Sequence, residues 1–184
     1  MLPLIILLVI AVVAVLAGVA MYNGLIRSKN QVENAWSQID VQLKRRLDLI
    51  PNLVETVKGY ATHEQETLQQ VITARNAAIA APDTPEAQAA PQNMLSGALG
   101  KLFALSEAYP DLKANQNYLA LQEELTATEG RVAYARQFFN DAVLGYNNKI
   151  ESIPTVVVAK MLGYTERQYF EADEAARTVP NVEF

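Results

Sequence analysis

The apolar residues Val32, Trp36, Ile39, Leu43, Leu47, Ile50, Val54, Val57 and Ala61 recur at steps of three or four, the spacing that gathers side chains on one face of an α-helix. A helix with one long apolar face cannot stand alone in water, so the rest of the chain has to supply a surface to match it. Every later segment with a clear period repeats the same three- and four-residue step, and the expected fold class is all-α.

No charged side chain precedes Arg27, and Leu2 to Met21 consists mainly of Leu, Ile, Val and Ala. About 20 such residues at ~1.5 Å rise each cross a ~30 Å hydrocarbon layer, which predicts a transmembrane helix. A cleaved signal peptide ending near Gly18-Val19-Ala20 is the alternative. It would need a basic leader and a shorter apolar run than this one. Tyr22 falls where an interfacial aromatic belongs, and the nearest cations, Arg27 and Lys29, follow the run. The positive-inside rule then puts the C-terminal body in the cytoplasm, with a periplasmic body as the alternative.

With 184 residues the chain has room for an anchor and one ordinary domain. The expected division is an anchor over 1–26, a helical bundle over 27–153 and a C-terminal segment over 154–184. The net charge of −5 is unevenly spread. Residues 27–60 hold six Lys/Arg against four Asp/Glu, and residues 61–184 hold nine against sixteen. A phosphate backbone asks for a clustered basic face, so nucleic acid is not an expected partner. Cysteine is absent, which excludes any disulfide.

The helical pattern continues from Tyr22 to Gly59, so the anchor and the first body helix are expected to form one rod, kinked where Pro51 removes the N–H that would bond the Leu47 carbonyl. Thr62-His63-Glu64-Gln65 fits a capping box opening a second helix near His63. Thr84, Pro85 and Glu86 open a third helix that extends to Ala108. A fourth begins between Ala114 and Asn117 and carries Leu121, Leu125, Thr128, Val132, Ala135, Phe139, Ala142, Tyr146 and Ile150 on one face, ending before Pro154. The expected architecture is an antiparallel, up-and-down four-helix bundle with two long and two short helices.

Lengths give that expectation a consequence. The two long helices, Tyr22–Gly59 and Asn115–Ser152, are about 38 residues or roughly 55 Å, against roughly 30 to 36 Å for the two short ones. The membrane-proximal half should then be a bare pair of helices, leaving Leu25, Val32, Trp36, Val143 and Ile150 only partly covered, as an interaction site would be. The expected interaction surface is Trp36, Ile39, Val143, Tyr146, Ile150, Val157, Met161 and Leu162. The segment after Pro154 is expected to return to this stalk and pack Val157, Met161, Leu162, Tyr169 and Phe170 onto it as core. An interfacial segment touching lipid is the alternative.

No catalytic residues, metal ligands or cofactor site are expected. His63 is the single histidine, too few for a di-metal carboxylate bundle or for the second ligand of a zinc-protease helix. Ser96-Gly97-Ala98-Leu99-Gly100-Lys101 lacks the leading glycine, the trailing Ser/Thr and the preceding strand of a phosphate loop, so Gly97 and Gly100 are expected to permit close helix contact. Lys44, Arg45 and Arg46 are expected to form a solvated face paired with Asp40 and Asp48. The alternative is a polar cluster near the kink, built from Arg45, Asp48, Asn52, Arg136 and Asn140 and fixing the register of facing helices.

Three runs, NQVENAWSQIDVQLKRRLDLIPNLVETVKGYATHE (30–64), LSGALGKLFALSEAYPDLKAN (95–115) and LQEELTATEGRVAYARQFFNDAVLGYNNKIESIP (121–154), together with YFEA at Tyr169 to Ala172, resemble the LemA family. Leu47 departs from it, since relatives often carry histidine in the KRRxDLIPNLV run. The resemblance implies a bacterial, single-pass inner-membrane protein with an antiparallel helical bundle, and it supplies no catalytic residues. The expected function is a membrane-anchored scaffold that self-associates. The alternative is an adaptor or regulatory subunit for a membrane protease or envelope-stress system. The expected partners are the lipid bilayer through residues 2–21, further copies of the chain as a homo-oligomer, and another membrane protein.

Overall fold

A computed structural model of the chain describes residues 1–61 and 64–170. Six helices and no strand occur among the described residues: α1 (Leu2–Lys58), α2 (Gln65–Ala80), α3 (Pro85–Ser106), α4 (Pro110–Lys113), α5 (Gln116–Glu151) and α6 (Thr155–Met161). Two compact units divide them. The first comprises Met1–Trp36 with Phe138–Gln168, and the second Ser37–Gln137 with Tyr169 and Phe170.

In the first unit α1 begins as an apolar helix whose side chains are exposed throughout the span expected in the bilayer. Further along, α1 and α5 run antiparallel. Trp36 meets Phe139 edge-on, with ring centroids 5.7 Å apart and planes at 61°, and twelve residues earlier on α1 Gly24 stands against Lys149, ten residues later on α5.

The second unit has one core. It joins Leu47, Ile50, Leu53, Val54 and Val57 of α1, Leu68, Val71, Ala74 and Ala78 of α2, Leu95, Ala98, Leu99 and Leu102 of α3, Leu112 of α4, and Tyr118 and Leu125 of α5. Caps hold the connections. Thr84 Oγ1 accepts the Ala87 N–H at 3.3 Å at the start of α3, and Asn115 Oδ1 accepts the Tyr118 N–H at 3.0 Å at the start of α5. The buried Gln88 side chain donates toward the carbonyls of Ala78, Ala81 and Pro82, covering the C-terminal end of α2. The expected capping box falls partly on Thr62 and His63, outside the described residues. α4 is a single turn opening at Pro110, where the sequence predicts only the end of α3.

Helix α1 continues through Pro51. Proline has no N–H for the carbonyl four residues back, and here α2 makes up the loss, because Arg75 Nε donates to the Leu47 carbonyl at 2.9 Å. A charged donor of this kind contributes about 1.5–3 kcal/mol. Arg75→Leu should lower the unfolding free energy by that amount, seen as a lower midpoint in a urea titration, and an unchanged midpoint would mean that water serves the carbonyl equally well.

The expectation that Gly97 and Gly100 allow close helix contact is not met. A Cβ at either position has no neighbour within 4 Å, so both glycines lower helix propensity with no packing return. Gly97→Ala and Gly100→Ala should each stabilise the second unit by about 0.5–1 kcal/mol, seen as an upward shift in thermal midpoint.

Candidate functional site

The cations Lys44, Arg45 and Arg46 do not share one fate. Lys44 pairs with Asp40 one turn earlier, as expected. Arg45 reaches across to Glu124 of α5, which Arg131 also approaches at 3.9 Å. Arg46, expected on a solvated face, is 1% exposed. Its phase explains the correction, because Ile39, Leu43, Arg46, Ile50 and Leu53 follow one another at three- and four-residue steps and all are buried.

Arg46 closes a ring that ties α1, α3 and α5 together. Its guanidinium donates to Ser96 Oγ at 2.6 Å and lies 3.2 Å from Glu129 Oε2, and the Ser96 hydroxyl donates to Glu129 Oε1 at 3.1 Å. Burial pulls the Arg46 pKa below its ordinary value, Glu129 pulls it back up, and Arg136 lowers it again. The Arg46 Nε and the Oε1 of buried Gln92 have no hydrogen-bond partner in the structure.

The expected polar cluster is only partly assembled. Arg136 lies over the Phe170 ring, with its guanidinium carbon 4.7 Å from the centroid. Asp48 and Asn52 are exposed on α1, and Asn140 is half-buried on α5. Arg45 is held by Glu124 and not by Asp48. The structure therefore supplies Arg46, Ser96, Glu129 and Gln92 in place of the expected set.

The expected interaction surface needs a correction as well. Ile39, Val143, Tyr146 and Ile150 are buried, as are Leu25 and Val32, and Trp36 is half-buried against Phe139. In the first unit the chain covers its own helix pair. The Tyr146 hydroxyl donates to the Thr165 carbonyl at 2.9 Å, while Asn147 accepts the Arg167 N–H and donates to the Arg167 carbonyl, both at 2.9 Å. That two-bond clasp fixes the strand of chain after α6 along α5. Of the residues expected to pack as core after Pro154, Phe170 is buried, whereas Val157, Met161, Leu162 and Tyr169 are exposed, and Ala159 is the other buried residue among those described in this stretch.

An open groove of about 680 Å³ lies between α1 and α5 within the second unit, lined by Val41, Gln42, Ala127, Gly130, Arg131 and Tyr134 among others. Val41 and Tyr134 project large apolar side chains into solvent beside it. One hint of this groove is legible in the sequence: Ala127, Gly130, Arg131 and Tyr134 fall off the buried face of α5, and Ala127 and Gly130 are too small to fill the space.

The family model described as the LemA family matches residues 35–184. The chain belongs to the LemA family. It is 30% identical over 158 residues to Protein LemA of Metamycoplasma hominis, covering 84% of this chain and 71% of that protein. It is 26% identical over 196 residues to Magnetosome protein MamQ 2 of Paramagnetospirillum magneticum, covering 92% and 72%. Magnetosome protein MamQ of Magnetospirillum gryphiswaldense is 25% identical over 182 residues, covering 85% and 67%. This LemA-family chain is thus a helical, membrane-associated protein, and none of those names denotes an enzyme.

One titration follows from the geometry of the second unit. The Tyr118 hydroxyl is buried and donates to Ser106 Oγ at 2.6 Å, and Ser106 donates on to the Phe103 carbonyl at 2.7 Å. Burial raises the phenol above its ordinary value of 10.0, opposed by the Ser106 hydrogen bond and aided by Glu107. A raised folded-state pKa gives stability that is complete below the unfolded value and lost as pH climbs through the folded one. The LemA-family body should therefore melt at a constant temperature from about pH 7 to 9 and lose stability above about pH 10. Tyr118→Phe should remove part of that alkaline loss. An unchanged alkaline limb would assign the whole loss to other groups, Tyr146 first among them, since burial raises it too.

Proposed function

We propose that this chain is a membrane-anchored helical scaffold that acts by binding other copies of itself and carries no catalytic activity. One observation bears most of the weight: α1 is a single helix whose first part is apolar and exposed over a membrane-crossing length and whose last part supplies Leu47 to Val57 of the second unit's core. A protein attached to the bilayer through its own core helix is suited to holding a body at the membrane. The functional division is an anchor over 1–26, an antiparallel four-helix bundle with two long and two short helices over 27–153, and a C-terminal segment over 154–184. The setting is the bacterial inner membrane with the body on the cytoplasmic side, a reading supported by Arg27 and Lys29 following the span.

The surface for self-association is the groove beside Val41 and Tyr134, because Ile39, Val143, Tyr146 and Ile150 of the surface first expected to serve are buried within one chain. Anchoring favours the contact, since copies confined to one membrane plane with one orientation meet at a high effective concentration. Native mass measurement after mild detergent extraction tests the proposal. The chain should run as a homo-oligomer, and Tyr134→Glu with Val41→Glu should reduce it to a single chain with unchanged helicity, since both side chains are exposed. A single chain from the start, co-purifying with a different membrane protein, would replace self-association with the adaptor role. A reporter fused after Phe184 tests the side of the membrane, and activity restricted to the periplasm would reverse the orientation.

A further inference from the structure

Ile153, Val157 and Met161 are 89%, 60% and 81% exposed in a unit whose other apolar side chains outside the span are mostly covered. The Val156 N–H bonds the Ser152 carbonyl at 2.8 Å, so α6 follows directly on the turn that carries Ile153. Val157 and Met161, four residues apart in α6, lie along one line, and Ile153 is exposed in the turn just before it. Lys160 projects beside them, and Ala159 and the half-buried Val156 and Val158 turn toward the unit.

The register of α1 against α5 shows what faces that line. Trp36 pairs with Phe139 and Gly24 with Lys149, the glycine leaving room for the lysine stem at 3.2 Å from where a Cβ would stand. Carried to Glu151, the last residue of α5, the same antiparallel register reaches Tyr22, so the turn that holds Ile153 follows at the C-terminal end of the apolar run. Tyr22 is exposed at that height. Lys160 lies beside the line, as a cation does that lays its stem on acyl chains and raises its ammonium group to the headgroups.

We infer that the face formed by Ile153, Val157 and Met161 lies in the interface of the bilayer that holds the N-terminal span, giving this chain a second, peripheral lipid contact. The inference rests on the reading of Leu2–Met21 as a membrane span. Two points of attachment would fix the rotation of the first unit about the axis of α1, which a single helix leaves free.

The chain has no cysteine, so single-cysteine variants take a spin label at one position only. Ile153→Cys, Val157→Cys and Met161→Cys, with Val12→Cys in the span and Glu123→Cys on an exposed face of α5, are labelled in the full chain and reconstituted into vesicles of phosphatidylcholine and phosphatidylglycerol. Power saturation compares molecular oxygen, which concentrates in acyl chains, with a water-soluble nickel chelate. At positions 153, 157 and 161 the oxygen-to-nickel ratio should be several-fold above that at 123 and below that at 12. A ratio at the three positions equal to that at 123, with 12 still deep, would overturn the lipid contact and leave the anchor standing. Loss of access to both reagents at 153, 157 and 161, with spin–spin broadening, would show a second copy covering the face and would equally overturn it. A label at 12 that behaves like the one at 123 would overturn the anchor itself and the inference with it.

Discussion

Arg46→Glu is expected to destabilise the second unit by about 3–5 kcal/mol, read as a large fall in its urea midpoint. The side chain is enclosed by α1, α3 and α5, its partners are Ser96 and Glu129, and a glutamate there would set one carboxylate against another in place of the cation that neutralises it. Leaving a buried charge without its counter-charge costs about 3–5 kcal/mol, a large share of the ~5–15 kcal/mol that holds a domain together. Arg46→Met distinguishes charge from shape. It fills similar space, asks for no hydrogen bond, and frees Glu129, which is half-exposed, to turn to water. A buried ion pair gives little net stability over an apolar side chain of similar volume, so Met should leave the unfolding free energy from a urea titration within about 1 kcal/mol of the parent. If Met proves as damaging as Glu, the Arg46–Glu129 pair is a true source of stability and not only a device that sets register.

Phe139→Ala should cost about 3–5 kcal/mol, the usual loss for emptying a buried aromatic site. Phe139 is buried in the first unit, and its ring is the one Trp36 meets edge-on. The chain has one tryptophan, so the effect has a local reporter: Trp36 emission should shift to the red as water enters, at a lower denaturant concentration than in the parent. Phe139→Leu, which keeps most of the volume, should recover most of the loss. Equal losses in the two variants would place the importance of the site in the ring contact itself.

The same two positions mark how far the sequence could be read. Apolar spacing alone locates α1, α2, α3 and α5 but neither α4 nor α6, carries α1 past its proline, and selects Ile39, Val143, Tyr146 and Ile150 as facing residues. It then errs on what becomes of them. Helix lengths suggested a bare pair, but the cover in the first unit is a strand of chain held by Asn147 and Tyr146 to the backbone of Thr165 and Arg167. Side-chain bonds to backbone nineteen and twenty residues away leave no local period or motif to detect. Arg46 is a different kind of miss. Its place in the three- and four-step register was visible, but an arginine within a run of three cations was assigned to water by residue type alone. The polar residues that receive it, Ser96 and Glu129, sit on two other helices, where nothing but packing brings them together.

The bond from Arg75 to the Leu47 carbonyl also limits how this part of the molecule can change over time. An arginine at 75 is useful because residue 51 is a proline. Once alanine replaces that proline, the Leu47 carbonyl has a donor in its own helix and the guanidinium becomes redundant. The two substitutions are therefore epistatic. A lineage can shed Pro51 first and Arg75 afterwards with little penalty, whereas the reverse order passes through an intermediate with an unserved carbonyl in the helix on which both the anchor and the core depend.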